Sequence, residues 1–199
     1  MKKIFVIVAA LFVAAQSFAQ VEPGTFTIQP TAGVNLSKST SDNAAYKVGF
    51  VGGVEFGYKL NKLIAFTAGA MYSNEGWVAS KDSNAKVNLN YINVPVLINF
   101  YVVKGLALTA GIQPGFNVGG NVKENGQTID FKELKSLMEI NAVNLSMPIG
   151  ISYEIKNFTI DARYNCGVTS LAKVTGVSDA KIAKGSVFQI VLGYKIPLR

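Results

Sequence analysis

The stretch that decides the fold is Phe158–Val168, which reads FTIDARYNCGV. Apolar and polar residues alternate along it, as they do when successive side chains of a β-strand point to opposite faces of a sheet. One face would hold Phe158, Ile160, Ala162, Tyr164 and Cys166, and the other would hold Thr159, Asp161, Arg163 and Asn165. The apolar face of such a strand meets either a protein core or lipid.

The same alternation recurs along most of the remaining chain. The further predicted strands are Phe26–Ser37, Lys47–Leu60, Ile64–Tyr72, Val87–Val103, Leu106–Val118, Asn141–Ile155 and Ser186–Ile196. Long polar connections alternate with tight turns between them, which is typical of membrane barrels with short periplasmic turns and longer outer loops. The sequence therefore predicts an all-β fold, an eight-stranded antiparallel up-and-down transmembrane β-barrel.

The three short turns give an independent check on this register. Each turn should pair two residues of the apolar face, whereas a slip of one residue would move the apolar side chains of a whole strand to the inner face. The predicted pairs are Ile155 with Phe158, Leu60 with Ile64, and Val102 with Leu106. Gly105 stands where a three-residue hairpin needs a positive φ. Pro30 lacks an N–H donor, which predicts a bulge or a gap in pairing on the first strand.

The composition of the two faces favours lipid outside the barrel. The inward set is rich in glycine and carries charges, which suits a narrow, packed interior. The outward set is aliphatic, with aromatic residues near the strand ends, as at membrane interfaces. The alternative is a soluble lipocalin-like barrel that encloses an apolar ligand.

Six ionisable residues fall on the predicted inward face of the strands. They are Glu55, Lys59, Glu154, Asp161, Arg163 and Lys195. Unpaired charges in a lumen are costly, whereas a paired network can fill it. We expect a structural network here rather than a proton path or a catalytic carboxylate pair. Arg163 is predicted to pair with Asp161 or Glu55, since Gly150 opposite it leaves room for the guanidinium.

The N-terminus predicts export from the cytoplasm. Lys2 and Lys3 precede an apolar run from Ile4 to Ala15, and Ser17-Phe18-Ala19 resembles a signal-peptidase site. We expect a signal peptide over 1–19 and an outer-membrane barrel domain over 20–199. The apolar run is too short to span a bilayer comfortably.

Composition argues against several classes of function. The 199 residues contain no histidine, which removes Ser-His and Cys-His nucleophilic sites and the common histidine metal sites. We therefore expect no enzyme and no cofactor or metal. The formal charge of +7 falls to +5 without Lys2 and Lys3, and its lysines are scattered, so no nucleic-acid partner is expected. The single cysteine, Cys166, excludes an internal disulfide.

Four segments together resemble the PorT-like outer-membrane β-barrel family, relatives of the small OmpA-type and OmpX-type barrels. The matching segments are Ala32–Ser37, Tyr72–Gly76, Tyr91–Leu97 and Asp161–Gly167, which read AGVNLS, YSNEG, YINVPVL and DARYNCG. The resemblance implies a small barrel in the cell outer membrane and implies no reaction. Members of the family often end on an aromatic residue, whereas here Gly193-Tyr194 is followed by Lys195–Arg199.

The expected role is structural, or an interaction made through loops. Binding residues concentrate on loops held by a rigid scaffold. The candidate loops are Lys38–Ala45, Ser73–Lys86, Gly119–Asn141 and Ser170–Gly185, and a short amphipathic helix is predicted over Phe131–Ile140. The expected partners are outer-membrane lipid and an envelope protein, with the barrel itself a monomer. A narrow ion or solute pore is the remaining alternative.

Overall fold

The strands of the protein form a single antiparallel sheet in the computed structural model, which describes residues 21–40, 45–78, 85–124, 127–130, 138–174 and 181–198. The strands are β1 Phe26–Ser39, β2 Lys47–Lys59, β3 Ile64–Val78, β4 Lys86–Asn93, β5 Val96–Val103, β6 Leu106–Glu124, β7 Gln127–Asp130, β8 Met138–Ile140, β9 Val143–Ile155, β10 Phe158–Val174, β11 Lys181–Tyr194 and β12 Ile196–Leu198. The predicted signal peptide over 1–19 lies outside the described residues. Across the described residues, no helix is long and apolar enough to cross a membrane.

The sheet closes into a barrel because β11 pairs with β1. β4 and β5 together form one wall strand, since Pro95 interrupts it without changing its register against β3. The backbone stays bonded at this interruption, where the amide of Gly69 donates to the Pro95 carbonyl at 3.1 Å and the amide of Val94 donates to the Pro114 carbonyl at 2.8 Å. The eight wall strands are β1, β2, β3, β4 with β5, β6, β9, β10, and β11 with β12, so the predicted closed, eight-stranded antiparallel β-barrel is confirmed.

Two of the three predicted turn pairings are correct. Ile155 pairs with Phe158, and the amide of Leu60 donates to the carbonyl of Ile64 at 3.0 Å. The third pairing is wrong, because Val103 rather than Val102 pairs with Leu106. The register shifts by one between Tyr101 and Val103, so both valines stay exposed on the outer surface. The turn is thereby shortened to Lys104-Gly105, and Gly105 has the predicted positive φ, 82°.

Pro30 lies beside the predicted gap in pairing. The register between β1 and the end of the chain runs down to Thr31 against Gly193 and resumes at Ile28 against Ile196. β11 and β12 are separate strands for this reason, since a proline offers no N–H to a ladder. On its other side Pro30 keeps its place opposite Val54 in β2.

The wall of the barrel is apolar outside and polar inside. Ile151 is 52 % exposed and its outward neighbour Leu108 is 49 % exposed, whereas Asp161 and Arg163 on the inner face are each 3 % exposed. Cys166 is exposed on the outer face, as its position in the alternation predicts. This arrangement suits a lipid-facing surface around a packed lumen.

Aromatic residues lie toward both ends of the apolar band. Near the short turns the rings of Phe26 and Tyr58 are 4.5 Å apart, and those of Phe158 and Tyr194 are 4.9 Å apart. Toward the long connections the rings of Phe50 and Tyr72 stack at 5.5 Å. These are the positions expected of two interfacial girdles.

Three strands continue well beyond the band and form a small projecting sheet. We call it the extracellular extension; it consists of residues 74–78 of β3, 86–90 of β4 and 119–124 of β6, together with β7. A bulge at Gly119, whose φ is 145°, shifts the register of β6 by one residue at its base. The predicted loops Ser73–Lys86 and Gly119–Asn141 are therefore partly strand.

The end of the predicted helix is also strand. Of Phe131–Ile140, residues 131–137 lie outside the described part of the chain. Met138–Ile140 forms β8, which pairs with Val174, Lys173 and Ala172 of β10. The helix prediction is wrong for these residues, since pairing with an extended neighbour satisfies their backbone groups in place of helical bonds.

Candidate functional site: the polar lumen

The inner face holds four carboxylates and four cationic side chains among the residues that the structure describes. The acids are Glu55, Glu75, Glu154 and Asp161, and the cations are Lys47, Lys59, Arg163 and Lys195. The sequence predicted six of these eight. It missed Glu75 because the third strand was expected to end at Tyr72, and it missed Lys47 although that residue shares the parity of Glu55 and Lys59.

The middle of the lumen is crossed by a bidentate ion pair. Nη1 of Arg163 donates to Oε1 of Glu55 at 2.7 Å, and Nη2 donates to Oε2 at 3.1 Å. The same Nη2 lies 3.3 Å from Oδ2 of Asp161. Nε2 of Gln29 donates to Oε2 of Glu55 at 3.4 Å. The predicted pairing of Arg163 with Asp161 or Glu55 is correct for both carboxylates, and the fork geometry makes the Glu55 contact the stronger one.

A second cluster closes the lumen near the short turns. Nζ of Lys195 donates to Oε2 of Glu154 at 2.9 Å, and the hydroxyl of Tyr101 donates to the same oxygen at 3.0 Å. Nζ of Lys59 lies 4.2 Å from the centroid of the Tyr101 ring, a cation–π contact. Sequence reasoning did not select Tyr101, although a tyrosine on a face of small and charged residues marks a space that a large ring must fill.

The third cluster lies toward the long connections. Oε1 of Glu75 accepts hydrogen bonds from Ser73 at 2.7 Å and from Nδ2 of Asn93 at 3.0 Å. Nζ of Lys47 donates to Oδ1 of Asn74 at 2.6 Å and to the Glu75 carbonyl at 3.0 Å. The charged groups of this cluster form hydrogen bonds to amides and hydroxyls, whereas those of the other two clusters contact each other directly.

Glycine makes room for the central ion pair, but not in the way the sequence suggested. A Cβ on Gly150 would collide with the backbone of Ala162 and Arg163, so the strands, not the guanidinium, require this glycine. A Cβ on Gly69 would lie 2.6 Å from the Val54 carbonyl oxygen and 2.8 Å from Cγ of Glu55, so the neighbouring strand requires this glycine too, and its absent side chain also leaves space for that of Glu55. The inner glycines thus follow from the narrow spacing of a small barrel.

A cavity of about 480 Å³ opens at the short-turn end of the barrel, lined in part by Lys59 and Tyr101, but the lumen between the charged clusters has room for very little besides its own side chains. Two cavities beside these clusters each have a volume of about 20 Å³, one lined in part by Glu55 and Lys59 and the other by Glu75 and Asn165. That volume suits about one water molecule. Within the described residues, no group of three or more Cys, Asp and Glu side chains could hold a metal ion.

Comparison with known proteins places the chain in a family. The family model of the outer membrane protein beta-barrel domain matches residues 15–173. The chain belongs to this family. Among curated proteins, no sequence matches it.

Two solved outer-membrane barrels show the same fold. Ail, the attachment invasion locus protein of Yersinia pestis, is 18 % identical, with a TM-score of 0.52 over 87 % of this chain and 99 % of Ail. Neisserial surface protein A is also 18 % identical, with a TM-score of 0.52 over 86 % of this chain and 97 % of that protein.

Family and fold together locate the protein in the cell outer membrane. The soluble lipocalin-like alternative is wrong, because the aliphatic face of this barrel is exposed outside and the lumen is polar. The finer resemblance to PorT-like barrels stays a prediction.

Proposed function

We propose that this member of the family is a non-catalytic outer-membrane scaffold that acts through its extracellular surface. The observation that carries the proposal is the filled lumen, in which buried cations contact buried carboxylates at two levels. A barrel whose interior is occupied by its own side chains has its outer surfaces left for recognition. The extracellular extension is a part of that surface that lies beyond the lipid-facing band.

The charges of the lumen support a structural role for the network. Glu55 and Asp161 are the closest candidates for a catalytic carboxylate pair, but Arg163 contacts both of them. Carboxylate oxygens that already accept from a buried guanidinium are not free to contact a substrate. The six predicted residues Glu55, Lys59, Glu154, Asp161, Arg163 and Lys195 thus serve to keep the barrel filled.

Crosslinking in the native envelope tests the interaction role. A photoreactive residue at Thr128 in the extracellular extension should capture an envelope or extracellular protein. The same residue at Lys62, in a short turn at the opposite end, is the matched control and should capture less. Equal capture at the two ends, or none from the extension, would contradict the proposal. Capture of a second copy of the chain at either position would contradict the expected monomer.

Conductance tests the pore alternative. Purified protein in planar bilayers should give no large, stable openings, because the cavities in the lumen have the volume of single waters. Stable openings in the wild-type protein would replace the scaffold proposal with a pore. Openings that appear only in Glu55→Gln would instead support the view that the central ion pair blocks the lumen.

A further inference from the structure

The cavity at the short-turn end of the barrel has the size of a ligand site. Its volume is about 480 Å³, and small-ligand sites occupy about 300–1,000 Å³. The two cavities inside the lumen are far smaller, at about 20 Å³ each. Three parts of the chain surround the larger cavity: residues 21–23 before β1, the turn after β2 and the turn after β5. The filled lumen therefore ends in an open space on the side of the short turns.

Much of the lining of this cavity is apolar. Val21 and Pro23 come from the N-terminal segment, and Leu63, Val102 and Val103 come from the two turns. Val102 and Val103 are 55 % and 45 % exposed on the outer surface, where they adjoin the lipid-facing band of the wall. The cavity therefore offers an apolar chain a path that begins in the lipid.

A buried cation stands at the inner end of the cavity. Lys59 is 5 % exposed and lines both this cavity and the water-sized one in the lumen above it, so it lies between the two. Its Nζ lies 4.2 Å from the centroid of the Tyr101 ring, and among the residues that the structure describes it forms no ion pair. An ammonium group held away from water without an opposite charge is costly.

The acids of the lumen are already engaged by other cations. Glu154 contacts Nζ of Lys195 at 2.9 Å, so one carboxylate serves two ammonium groups in the short-turn cluster. Glu55 lines the same water-sized cavity as Lys59, but both of its oxygens accept from Arg163. One further negative charge in the larger cavity would balance Lys59.

The rim of the cavity is positive as well. Lys62 and Lys104 line it, and Glu22 is the acid among its described lining residues. All three side chains are exposed, so water solvates them and none is held against Lys59. Residues 1–20 contain no aspartate or glutamate. The cavity thus combines an apolar wall with a surplus of positive charge, which is the complement of an anionic amphiphile.

We propose that this cavity binds a free fatty acid, with the carboxylate on Lys59 and the chain along Leu63 and Val103 toward the lipid. The carboxylate would accept from the buried ammonium group in a charge-assisted hydrogen bond. A single cation at the inner end of the cavity suits the small terminal carboxylate of one chain better than the doubly esterified phosphate of a two-chain lipid. The site lies at the opposite end of the barrel from the extracellular extension, so it does not depend on the interaction proposed there.

The test measures binding of decanoate to the folded chain in phosphatidylcholine nanodiscs. The readout is the NMR signal of an isotope-labelled carboxyl carbon, and nanodiscs without protein give the baseline because decanoate also enters lipid. The protein should add a saturable bound signal. Unlabelled decanol, which has the chain without the carboxylate, should displace it at least about tenfold less well than unlabelled decanoate, because a hydrogen bond to a charged group is lost. Acetate, which has the carboxylate without the chain, should also compete weakly.

Substitutions at the two ends of the cavity separate the charge from the chain. Lys59→Gln should weaken decanoate binding about tenfold or more, whereas Lys59→Arg keeps the charge and should retain most of the affinity. Lys123→Gln makes the same change of charge at the opposite end of the barrel and is the matched control, which should bind like the wild type. Val103→Trp should fill the cavity from its rim and abolish the saturable signal. This variant leaves Lys59 intact and provides the test if Lys59→Gln does not fold.

Several results would overturn the proposal. The absence of a saturable signal, or unchanged binding in Lys59→Gln or Val103→Trp, would remove the site. Equal competition by decanol would mean that the cavity takes any apolar chain and that Lys59 has no part in it. Equal competition by acetate would make it a place for an adventitious ion only. Tighter binding of an apolar tripeptide with a free terminal carboxylate would assign the cavity to a periplasmic peptide and not to a fatty acid.

Discussion

The barrel wall and the extracellular extension are built from the same strands but have opposite polarity. In the wall, Ile151 and Leu108 face outward and Arg163 faces inward. In the extension, Val87 and Leu89, at 8 % and 3 % exposure, face inward beside Trp77, and Asn88 and Asn90 alternate with them on the outer face. The side chains alternate in both regions. The difference shows that alternation defines two faces, while the surrounding medium decides which of them is apolar.

The largest loss of stability is expected when the central cation of the lumen, Arg163, is removed from the inner face of the wall. Arg163→Met leaves Glu55 and Asp161 buried without a positive partner. Breaking a buried pair in this way costs about 3–5 kcal/mol. Urea unfolding in vesicles should show the loss, and Lys62→Met in an exposed turn should unfold like the wild type. Equal stability of Arg163→Met and the wild type would contradict a structural role for the network.

A charge introduced on the outer face should destabilise the wall but not the extension. Ile151→Arg places a guanidinium in the lipid-facing band, where it costs about 2–4 kcal/mol near the bilayer midplane. Thr128→Arg places the same charge on the exposed strand β7 of the extension, where water or headgroups solvate it. Folding yields into vesicles should fall for the first variant and stay near wild type for the second. Similar losses in both would show that the extension is also surrounded by lipid.

The inner face of the extension should respond to loss of apolar volume. Val87→Ala removes two methylene equivalents from its cluster with Leu89 and Tyr91, at a cost of about 1.6 kcal/mol. Because the extension projects beyond the wall, we expect faster amide exchange in β3 and β4 above Tyr72 and little change in the wall. Val78→Ala, at the outward row of Lys86, is the control and should change exchange less. Faster exchange throughout the barrel would mean that the two regions unfold together.

The smallest effect is expected from the outer asparagine rows. Asn90→Ala removes the acceptor of the 2.7 Å bond from Asn74, which is worth about 0.5–1.5 kcal/mol. Asn90→Asp keeps an acceptor oxygen and should retain most of the stability. Amide exchange at the end of β3 is the measurement. An alanine variant that exchanges no faster than the aspartate variant would show that this bond does not stabilise the extension.

Much of the wall could be predicted because its rules are local in sequence. A period of two, tight turns and apolar residues at every second position define the strands, the faces and most of the register. The bulge at Val102 could not be predicted in this way. The sequence around Gly105 is compatible with a two-residue turn and with a three-residue turn. The pairing of the whole strand with β6 decides between them.

The ends of the strands were harder to predict, because we expected the apolar residues to face outward, toward lipid, along the whole of each strand. Trp77, Val87 and Leu89 alternate with polar residues like any strand, but their apolar side is the one that faces inward. A search for outward apolar residues therefore ended β3 at Tyr72 and missed Glu75. Past Tyr72 the apolar residues occupy the other set of alternate positions, as Trp77 does. Following that set would have predicted both the extension and its inward carboxylate.

The sequence by itself determined the barrel, its two faces and the set of six inward charges, since each follows from the position of a residue along its own strand. The tertiary structure decided which charges meet. Arg163 and Glu55 are 108 residues apart in sequence and contact each other only because the closed wall brings β10 and β2, which β11 and β1 separate, to face each other across one narrow lumen. It also decided that Lys86 and Lys123 are neighbours, because a single bulge at Gly119 sets the face on which every later residue of β6 lies.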